Sequence, residues 1–319
     1  MTIRLGVVMD PIKNIKPIKD STFAMLLEAR QRQWQIHYME LSDLSVHDGK
    51  PHATTTRLDV FDDSNNWYKK SDTRFMPLQE LDVILMRKDP PFDMEYIYAT
   101  YILQLAQESG CLVVNDPTSL RDANEKLYTS WFPQCCAPSL VSRNAAEIKT
   151  FLATHQDIIL KPLGGMGGAS IFRVQADDAN TNVIIETLTH NGQAFCMAQQ
   201  YIPEISKGDK RILIIDGEPV PFALARIPAS GENRGNLAAG GRAEGVALSE
   251  RDHWICEQLA ATLKKKGLLF VGIDVIGDFL TEINVTSPTC IRELDELYNL
   301  NIAGQLMDSI EHNLSQAGR

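Results

Sequence analysis

Strand and helix patterns alternate along the first third of the chain, and this alternation constrains the fold more than any other feature. Apolar runs and helical periodicity predict strands at 5–9, 36–39, 81–86 and 111–114, and helices at 21–32 and 96–107. Such alternation is typical of βαβ units, so the sequence predicts an α/β fold that begins with a mainly parallel sheet. Ligands of such sheets bind beyond the carboxyl ends of the strands, where Asp10 and Arg87 lie.

The same region contains one helix start and one irregular segment. Ser21 is the predicted N-cap of the first helix, because serine hydroxyls accept hydrogen bonds from the first helical turn. The segment 45–77 is polar and shows no clear strand or helix periodicity, so we expect an irregular segment on the surface.

Charge and cysteine usage exclude several classes of protein. The 319 residues carry a net charge of −10, so broad electrostatic binding to nucleic acid or to an anionic membrane is not expected. No apolar run is long enough to predict a membrane-spanning helix. The six cysteines form no CxxC pair and no zinc-type cluster with histidine. We interpret them as reduced, mostly buried thiols of a cytoplasmic protein.

The pattern of predicted elements changes around 116–126, and predicted strands are more frequent after this segment. The predicted strands are 157–162, 171–174, 197–202, 211–215, 219–226, 268–276 and 280–286, and the predicted helices are 250–266 and 302–314. Asp216-Gly217 is a strong hairpin signal. The segment 228–245 is rich in Gly, Asn and Ala, which predicts a mobile lid.

A glycine-rich loop joins the first two of these strands. Residues 164–168 read GGMGG, and glycine lets backbone N–H groups approach an anion closely because no Cβ intervenes. The pattern matches neither the Walker A motif nor the Rossmann fingerprint, so a phosphate loop and a hairpin without a ligand are both open. Lys161, at the end of an apolar strand, favours phosphate binding over the alternative of a solvent-exposed lysine.

Polar side chains interrupt the last predicted strand pair. Asp274 lies within an apolar run, and Glu282 and Asn284 lie two residues apart, so the latter two share a face of their strand. Buried carboxylates are paired or bind metal, and this ligand set suits Mg²⁺ held together with nucleotide phosphates. The alternative is that the acids pair with arginines such as Arg292.

The turn between these two strands decides whether Asp274 shares the metal face. A two-residue turn with a regular ladder would put Asp274 and Glu282 on opposite faces. A three-residue loop at 277–279, or a bulge, would place Asp274 opposite Glu282. We therefore predict an odd-numbered loop or a bulge.

Arginines are concentrated in the half of the chain that contains these acids. They are Arg211, Arg226, Arg234, Arg242 and Arg292. Arginine is the usual bidentate partner of phosphates and carboxylates, so this concentration indicates an anionic substrate or intermediate, although some of the five are expected to form structural ion pairs.

Taken together, these segments resemble a known family. They are Lys126 in NEKLY, IILKPLGGMGGASIFRV, MAQQYIP, GDKRILIIDGEPVPFALARIP, GNLAAGGR and FVGIDVIGDFLTEINVTSPTCIRE. The chain resembles the ATP-grasp ligases, and specifically the bacterial type of glutathione synthetase. VVMDPI and ILMRKDPPFDMEYIYATYIL in the first third carry the more specific likeness, which extends over nearly the whole chain.

The resemblance implies a fold and a reaction. A Rossmann-like, substrate-binding domain at 1–122 would precede an ATP-grasp catalytic domain at 123–316, in which two small sheets hold ATP and a small lid subdomain spans about 130–198. The family joins γ-glutamylcysteine to glycine through an acyl phosphate and releases ADP and phosphate. Mg²⁺, or Mn²⁺, would assist, and the family's proteins are cytoplasmic and commonly tetrameric.

The resemblance also implies roles for individual residues. The residues expected to bind ATP are Lys126, Lys161, Gly164, Gly165, Met166, Gly167, Gly168, Gln199, Gln200, Tyr201, Ile202 and Asp209. Those expected to bind the substrates are Arg87, Arg211, Arg226, Arg234, Gly240, Gly241 and Arg292. Arg211, Arg226 and Lys161 would be catalytic, and Asp274, Glu282 and Asn284 would bind the metal. The family often has Asp where this chain has Gly164, which would loosen the phosphate loop without removing a catalytic group.

Three other functions stay open as alternatives. One is a different carboxylate–amine ligase of the same superfamily, such as a D-alanine–D-alanine or peptide-tail ligase. Another is a non-catalytic ATP-binding module, which the intact set of lysines and acids disfavours. A nicotinamide dehydrogenase would suit the βαβ start, but its fingerprint is absent.

Overall fold

The computed structural model describes residues 2–165, 168–228 and 242–318. Within these ranges the strands form three sheets of seven, four and six strands, and the predicted α/β fold is confirmed. The first sheet belongs to the N-terminal third, and the other two follow it along the chain.

The N-terminal sheet has the order β3-β4-β2-β1-β6-β7, with β5 paired to β4. Its strands and helices, in chain order, are Arg4–Val8 (β1), Ser21–Gln31 (α1), Gln35–Met39 (β2), Leu44–His47 (β3), Lys50–Val60 (β4), Tyr68–Pro77 (β5), Val83–Met86 (β6), Met94–Glu108 (α2), Leu112–Val114 (β7) and Pro117–Asp122 (α3). β2, β1, β6 and β7 are parallel neighbours, as predicted. Asp10 and Arg87 therefore follow β1 and β6 at the same edge of the sheet.

The start of α1 differs from the prediction by one residue. Asp20 is the cap, and its Oδ1 accepts a hydrogen bond from the Phe23 N–H at 2.7 Å. Ser21 is the first helical residue, and its Oγ accepts instead from the Ile291 N–H at 3.2 Å. Aspartate and serine are both good caps, so the sequence alone did not separate them.

The prediction of an irregular segment at 45–77 is wrong, because these residues form most of an antiparallel unit of β3, β4 and β5. In β4 every second residue from Pro51 to Thr55 is buried, and a bulge carries the buried set on to Leu58 and Val60. The alternation of buried and exposed residues in β4 was not recognisable in the sequence, because the buried positions include threonine and because the bulge shifts the alternation by one residue.

The second and third sheets make up the rest of the chain. The second sheet, in the order β10-β9-β11-β8, and its helices comprise Ser139–Ser142 (β8), Ala145–His155 (α4), Asp157–Pro162 (β9), Phe172–Gln175 (β10), Thr181–Thr189 (α5) and Cys196–Gln200 (β11). The third sheet, in the order β15-β14-β12-β16-β17 with β13 beside β12, and its helices comprise Asp209–Ile215 (β12), Glu218–Pro219 (β13), Phe222–Ile227 (β14), Arg242–Ala247 (β15), Glu250–Lys265 (α6), Phe270–Ile276 (β16), Phe279–Asn284 (β17), Ile291–Tyr298 (α7) and Ile302–Gln316 (α8).

The turn between β16 and β17 has two residues, Gly277 and Asp278, and the ladder contains a bulge. The bulge lies at Thr281, and it brings Asp274 directly opposite Glu282. The prediction of an odd-numbered loop or a bulge is therefore confirmed in its second form.

The apolar core is shared between the N-terminal and third sheets, whereas the second sheet has its own. One cluster joins Ile84 of β6 to Ile273 of β16, and another joins Leu5 of β1 to Leu213 of β12. A separate cluster around Ile158 holds the second sheet to α4 and α5. The second sheet is thus attached to the rest without a common core.

The buried side chain of Asn115, which follows β7, joins the N-terminal sheet to the third sheet. Its amide nitrogen donates to the carbonyl oxygens of Phe270 and Val285, both at 2.7 Å, and its Oδ1 accepts from the Phe270 N–H at 2.9 Å. Extending the register of β16 and β17 would place Thr286 opposite Phe270. Asn115 therefore pairs with Phe270 as a strand residue would, and the chain after Val285 leaves the sheet.

Among the helices of the described ranges, none has the length and apolar character needed to cross a membrane. Five of the six cysteines are buried, as expected: Cys111, Cys135, Cys196, Cys256 and Cys290.

Candidate active site

A cleft with a volume of about 450 Å³ lies between the second and third sheets. β9 and β11 line it on one side, and β12, β14, β16 and β17 line it on the other. Two segments from elsewhere complete the wall, namely 125–126 after α3 and 89–90 after β6. Most of the residues that the sequence singled out lie in this one cleft.

Lys161 in β9 is a buried cation without a counter-ion. Its side chain is 4% exposed, and its Nζ lies 3.2 Å from Gln199 Oε1 and 3.5 Å from the Thr281 carbonyl oxygen. It makes no ion pair with any residue that the structure describes. Burial lowers the pKa of Lys161, and the nearby carboxylate of Glu282 opposes that effect. A charged ammonium in this position favours an anion in the cleft.

Lys126 lies across the cleft from Lys161 and is paired with acids. Its Nζ lies 2.8 Å from Glu125 Oε1 and 3.7 Å from Glu282 Oε1, and it donates to the Gly165 carbonyl oxygen at 3.2 Å. Burial would lower the pKa of Lys126, but Glu282 and Glu125 outweigh it and raise the pKa. Lys126 therefore connects the glycine loop to β17 and stays charged.

The glycine loop connects β9 to β10. Gly165 and Gly168 have φ values of +100° and +74°, which residues with a side chain rarely adopt. The Asn124 amide donates to the Leu163 carbonyl oxygen at 3.1 Å and fixes the start of the loop. A side chain at Gly164 would meet open space, so glycine is not required there by packing.

Two arginines and two aspartates form an alternating network on the floor of the cleft. Arg211 Nε lies 2.5 Å from Asp274 Oδ1, and its Nη2 lies 3.0 Å from Oδ2. Arg226 Nη2 lies 2.9 Å from Asp274 Oδ2 and 2.5 Å from Asp209 Oδ2. The alternative in which an acid pairs with arginine thus applies to Asp274, but the partners are Arg211 and Arg226.

The network gives its two acids opposite titration behaviour. Burial alone would raise the pKa of Asp274, but Arg211 and Arg226 hold it well below the usual range. Burial raises the pKa of Asp209 to about 6, although Arg226 acts to lower it. Among the described residues, the buried atoms Asp209 Oδ1 and Arg226 Nε have no hydrogen-bond partner. Such atoms are rare in a finished core and indicate a place for a polar ligand.

Glu282 and Asn284 are the residues that fit a metal ion best. Glu282 is about one-fifth exposed, and its only described ion pair is the long one to Lys126. Asn284 uses its amide nitrogen to contact Asp274 Oδ2 at 3.4 Å, and this contact does not use its oxygen. No group of three His, Cys, Asp or Glu side chains within 2–165, 168–228 and 242–318 forms a ready-made metal site. A cation that takes few protein ligands and completes its shell with phosphate oxygens suits this arrangement.

The remaining predicted site residues divide into three sets. Gln199, Gln200, Tyr201 and Ile202 line the cleft. Arg87 and Arg292 do not line it, and Arg292 Nη2 lies 2.9 Å from Asp62 Oδ1 at the surface. Met166, Gly167, Arg234, Gly240 and Gly241 lie outside the described residues.

Several lining residues were not predicted. Ile159, Ile205 and Ile276 form an apolar part of the wall, and Glu125 and the segment 286–289 form a polar part. Ile159 could have been found, because it lies two residues before Lys161 in the same strand and shares its face. Nothing in the sequence indicated that the segment after β17 turns into the cleft.

Solved structures share this architecture. A D-cycloserine synthetase matches with a TM-score of 0.68 at 14% identity, over 97% of this chain and 99% of that one. D-Alanyl-alanine synthetase A from Vibrio cholerae matches with a TM-score of 0.59 at 13% identity, over 99% and 100%. At such low identity these likenesses show the fold alone.

Sequence comparisons are more specific. Models of the N-terminal domain and the ATP-grasp domain of prokaryotic glutathione synthetase match 3–121 and 125–299. Glutathione synthetase from Vibrio vulnificus strain YJ016 is 60% identical over 314 residues, 98% of this chain and 99% of its own. The one from Escherichia coli O127:H6 is 59% identical over 314 residues, with coverages of 98% and 99%.

The two small sheets and the cleft between them define an ATP-grasp ligase, an enzyme that uses ATP to join a carboxylate to an amine. Both halves of the chain match models of one branch of these enzymes. The chain belongs to the prokaryotic glutathione synthetase family, and it is an ATP-dependent ligase that forms glutathione. ATP is therefore a substrate, and the activity depends on a divalent metal ion.

Proposed function

We propose that the cleft binds ATP at the end near the β16–β17 turn and joins γ-glutamylcysteine to glycine at the other end. The observation that carries this proposal is that one cleft contains a metal-competent acid, an arginine network and a buried lysine that has no ion pair among the described residues. Three anionic groups must meet in such a reaction, and these cations supply the neutralising charge.

The ATP end has an apolar and a cationic part. Ile159, Ile202 and Ile276 would enclose the adenine ring, backbone groups of 199–202 would bind its edge, and Asp209 would lie near the ribose. Lys126 and Lys161 would bind the phosphates under the glycine loop. The depressed pKa of Lys161 supports this role, because an adjacent phosphate would stabilise its charged form.

The metal site consists of Glu282 and the side-chain oxygen of Asn284. The ion would be Mg²⁺, with Mn²⁺ as a substitute, and it would neutralise the charge that builds up on the phosphates. Asp274 is the third proposed ligand, but its two oxygens already bind Arg211 and Arg226. It would therefore join the metal shell only by exchanging an arginine contact.

The reaction proceeds in two displacements. A carboxylate oxygen of γ-glutamylcysteine attacks the γ-phosphorus of ATP, the bond to the bridging oxygen breaks, and ADP leaves. The glycine nitrogen then attacks the acyl carbon, loses a proton and expels phosphate. Arg211 and Arg226 would face the negative charge on the acyl phosphate. Arg226 Nε, which has no partner among the described residues, would be available to it.

We propose a substrate-binding domain at 1–122 and a catalytic domain at 123–316, with a small lid subdomain at about 130–198. The separate core of the second sheet supports the lid assignment. Arg234, Gly240 and Gly241 would belong to a loop that covers the cleft. Arg242, where the described strand β15 begins, pairs with Ile227 beside Arg226.

A cytoplasmic homotetramer is the proposed state. The cytoplasm supplies ATP and reduced thiols, and most cysteines here are buried. α2 exposes Met94, Tyr98 and Tyr101 at helical spacing, and this apolar stripe supports contact with further copies. Light scattering of the purified protein would measure the oligomeric state.

The test of the site is Glu282→Gln, with Asp278→Asn in the turn of the same hairpin as the matched control. The first variant should lose roughly 1,000-fold in kcat with its fold intact, because it removes the acid of the metal site. The control should retain wild-type turnover, since Asp278 is exposed and does not line the cleft. The measurement is phosphate release with ATP, Mg²⁺, γ-glutamylcysteine and glycine. Unchanged turnover in Glu282→Gln would end the metal assignment.

A further inference from the structure

We propose that Arg87 is a positioning residue for the reaction. Its buried guanidinium fixes the segment 286–289, which lines the end of the cleft away from the β16–β17 turn, and thereby orients the substrate that binds there. This inference rests on the proposed function in one respect only, namely that a substrate binds at that end.

Arg87 connects two elements that meet at the edge of the N-terminal sheet. Its Nε donates to Thr22 Oγ1 of α1 at 3.0 Å, and its Nη2 donates to the Pro288 carbonyl oxygen at 2.9 Å. Ser287 Oγ returns a hydrogen bond to the Arg87 carbonyl oxygen at 3.3 Å. The guanidinium and the backbone of one residue thus hold two adjacent residues of the segment.

The guanidinium is held without a carboxylate. Arg87 is 5% exposed, makes no ion pair with any residue in the part of the chain that the structure describes, and lies over the Phe270 ring at 5.5 Å. Burial lowers the pKa of Arg87, although Asp89 and Asp20 act to raise it. A charge buried among neutral acceptors is unfavourable for stability alone. The position of the groups it binds is therefore the better explanation for its presence.

The segment 286–289 forms a distinct end of the cleft. Ile276 lines the cleft at the turn of the β16–β17 hairpin, and Thr286 lines it beyond the other end. A strand rises about 3.3 Å per residue, so the hairpin separates these two ends by roughly 20 Å. Asp89 and Pro90, two and three residues after Arg87, line the cleft, as do Ser287 and Pro288. Arg87 thus acts on the end that does not bind adenine.

Both flanks of the segment are also held by the N-terminal domain. The Val285 carbonyl oxygen accepts from the Asn115 amide at 2.7 Å, and the Ile291 N–H donates to Ser21 Oγ at 3.2 Å. Packing also restricts the middle of the segment 286–289, because a Cβ atom at Gly272 would lie 2.8 Å from Pro288 Cβ. Arg87 supplies the polar contact at this middle point.

The test compares Arg87→Met with Arg121→Met. Arg121 is a matched control, because its guanidinium also binds neutral acceptors, Thr100 Oγ1 and Gln104 Oε1, and stacks on Tyr101, but it contacts no residue of the cleft. Thr22→Val is a second, milder variant that removes the acceptor of Arg87 Nε from outside the cleft.

Two measurements are made on the full-length enzyme. The first is hydrogen exchange of residues 285–291 without substrates, which should increase at least about tenfold in Arg87→Met, less in Thr22→Val and not in Arg121→Met. The second is steady-state kinetics, in which KM for γ-glutamylcysteine or glycine should rise at least about tenfold while KM for ATP changes less than about twofold.

The outcomes separate the possible roles. Faster exchange in the segment together with the selective rise in KM supports positioning. Unchanged exchange in Arg87→Met, or kinetic loss in Arg87→Met without any in Thr22→Val, overturns it in favour of direct substrate contact. An equal rise in KM for ATP overturns it in favour of a general structural role. The exchange result does not depend on glutathione being the product, so it stands if the proposed function fails.

Discussion

The lysines and the arginines of the cleft differ in how their charges are paired. Among the described residues, Lys161 is buried with only neutral hydrogen-bond partners, whereas Lys126 contacts two acids. Arg211 and Arg226 both bind Asp274, at distances of 2.5–3.0 Å.

This difference indicates two ways of preparing a site for anions. A buried cation without an ion pair destabilises the free protein, and a bound anion removes this destabilisation. Such a cation therefore favours tight binding of ATP. Paired arginines are already stabilised and held in a fixed geometry, so an incoming anion must compete for them. The arginine pair should therefore act on charge that develops late, on the acyl phosphate.

The largest expected effect tests the buried lysine. Lys161→Met should lower kcat/KM for ATP by roughly 1,000-fold, because a charge-assisted contact to phosphate is lost in a water-excluded site. The same variant should unfold at an equal or higher denaturant concentration than the wild type, because a buried charge without a counter-ion is removed. Lys264→Met, on the surface, is the control for both measurements. A clear loss of stability in Lys161→Met would contradict this prediction, because it would show that the charge of Lys161 does not destabilise the free protein.

The opposite pattern is expected for Asp274→Asn in the arginine network. The free energy of unfolding should fall by about 3 kcal/mol, because Arg211 and Arg226 would lose the carboxylate that separates them. Chemical denaturation at pH 7 measures this change, and Asp278→Asn serves as the control within the same hairpin. If stability were unchanged, the arginines would not depend on Asp274 for stabilisation, and the lysines and arginines would not differ in pairing.

The smallest expected effect is a pH dependence at Asp209, whose pKa is raised to about 6. Between pH 7 and pH 5 the folded protein takes up a proton at Asp209, whereas the unfolded chain, with a pKa of about 3.9, does not. Asp209 should therefore add about 1 kcal/mol to stability as the pH falls through this window. At the same time kcat/KM should fall about tenfold, because a protonated Asp209 no longer holds Arg226 by charge.

The comparison with Asp209→Asn isolates this effect from other titrations. The variant cannot titrate at residue 209, so its stability and kcat/KM should lack both changes. Wild type and variant that respond alike to pH would place the titrating group elsewhere.

Local patterns explain which parts of the fold and site could be predicted. The parallel order of the N-terminal strands followed from the alternation of strand and helix patterns. Glu282 and Asn284 share a face because strand side chains alternate, and the bulge that pairs Asp274 with Glu282 followed from requiring both acids on one face of the hairpin. Each inference needed only residues that are close in the chain.

Contacts between strands that are distant along the chain could not be predicted in the same way. Asp274 faces Arg211 because β12 lies beside β16, and Asp209 faces Arg226 because β14 lies on the other side of β12. Strand order is not encoded in any local period, so Arg292 was as plausible a partner as Arg211. Arg87 shows the same limit, since its contact with Pro288 spans 201 residues.

The joint at Asn115 bears on whether the two halves of this enzyme can exist apart. One amide side chain satisfies the Phe270 N–H and the carbonyl oxygens of Phe270 and Val285. A fragment that begins near residue 123 would expose these three backbone groups together with the apolar faces of β12 and β16. Such a fragment should aggregate when expressed alone and should recover when the N-terminal piece is co-expressed. We therefore expect the two halves to depend on each other for folding, although they are consecutive domains along the chain.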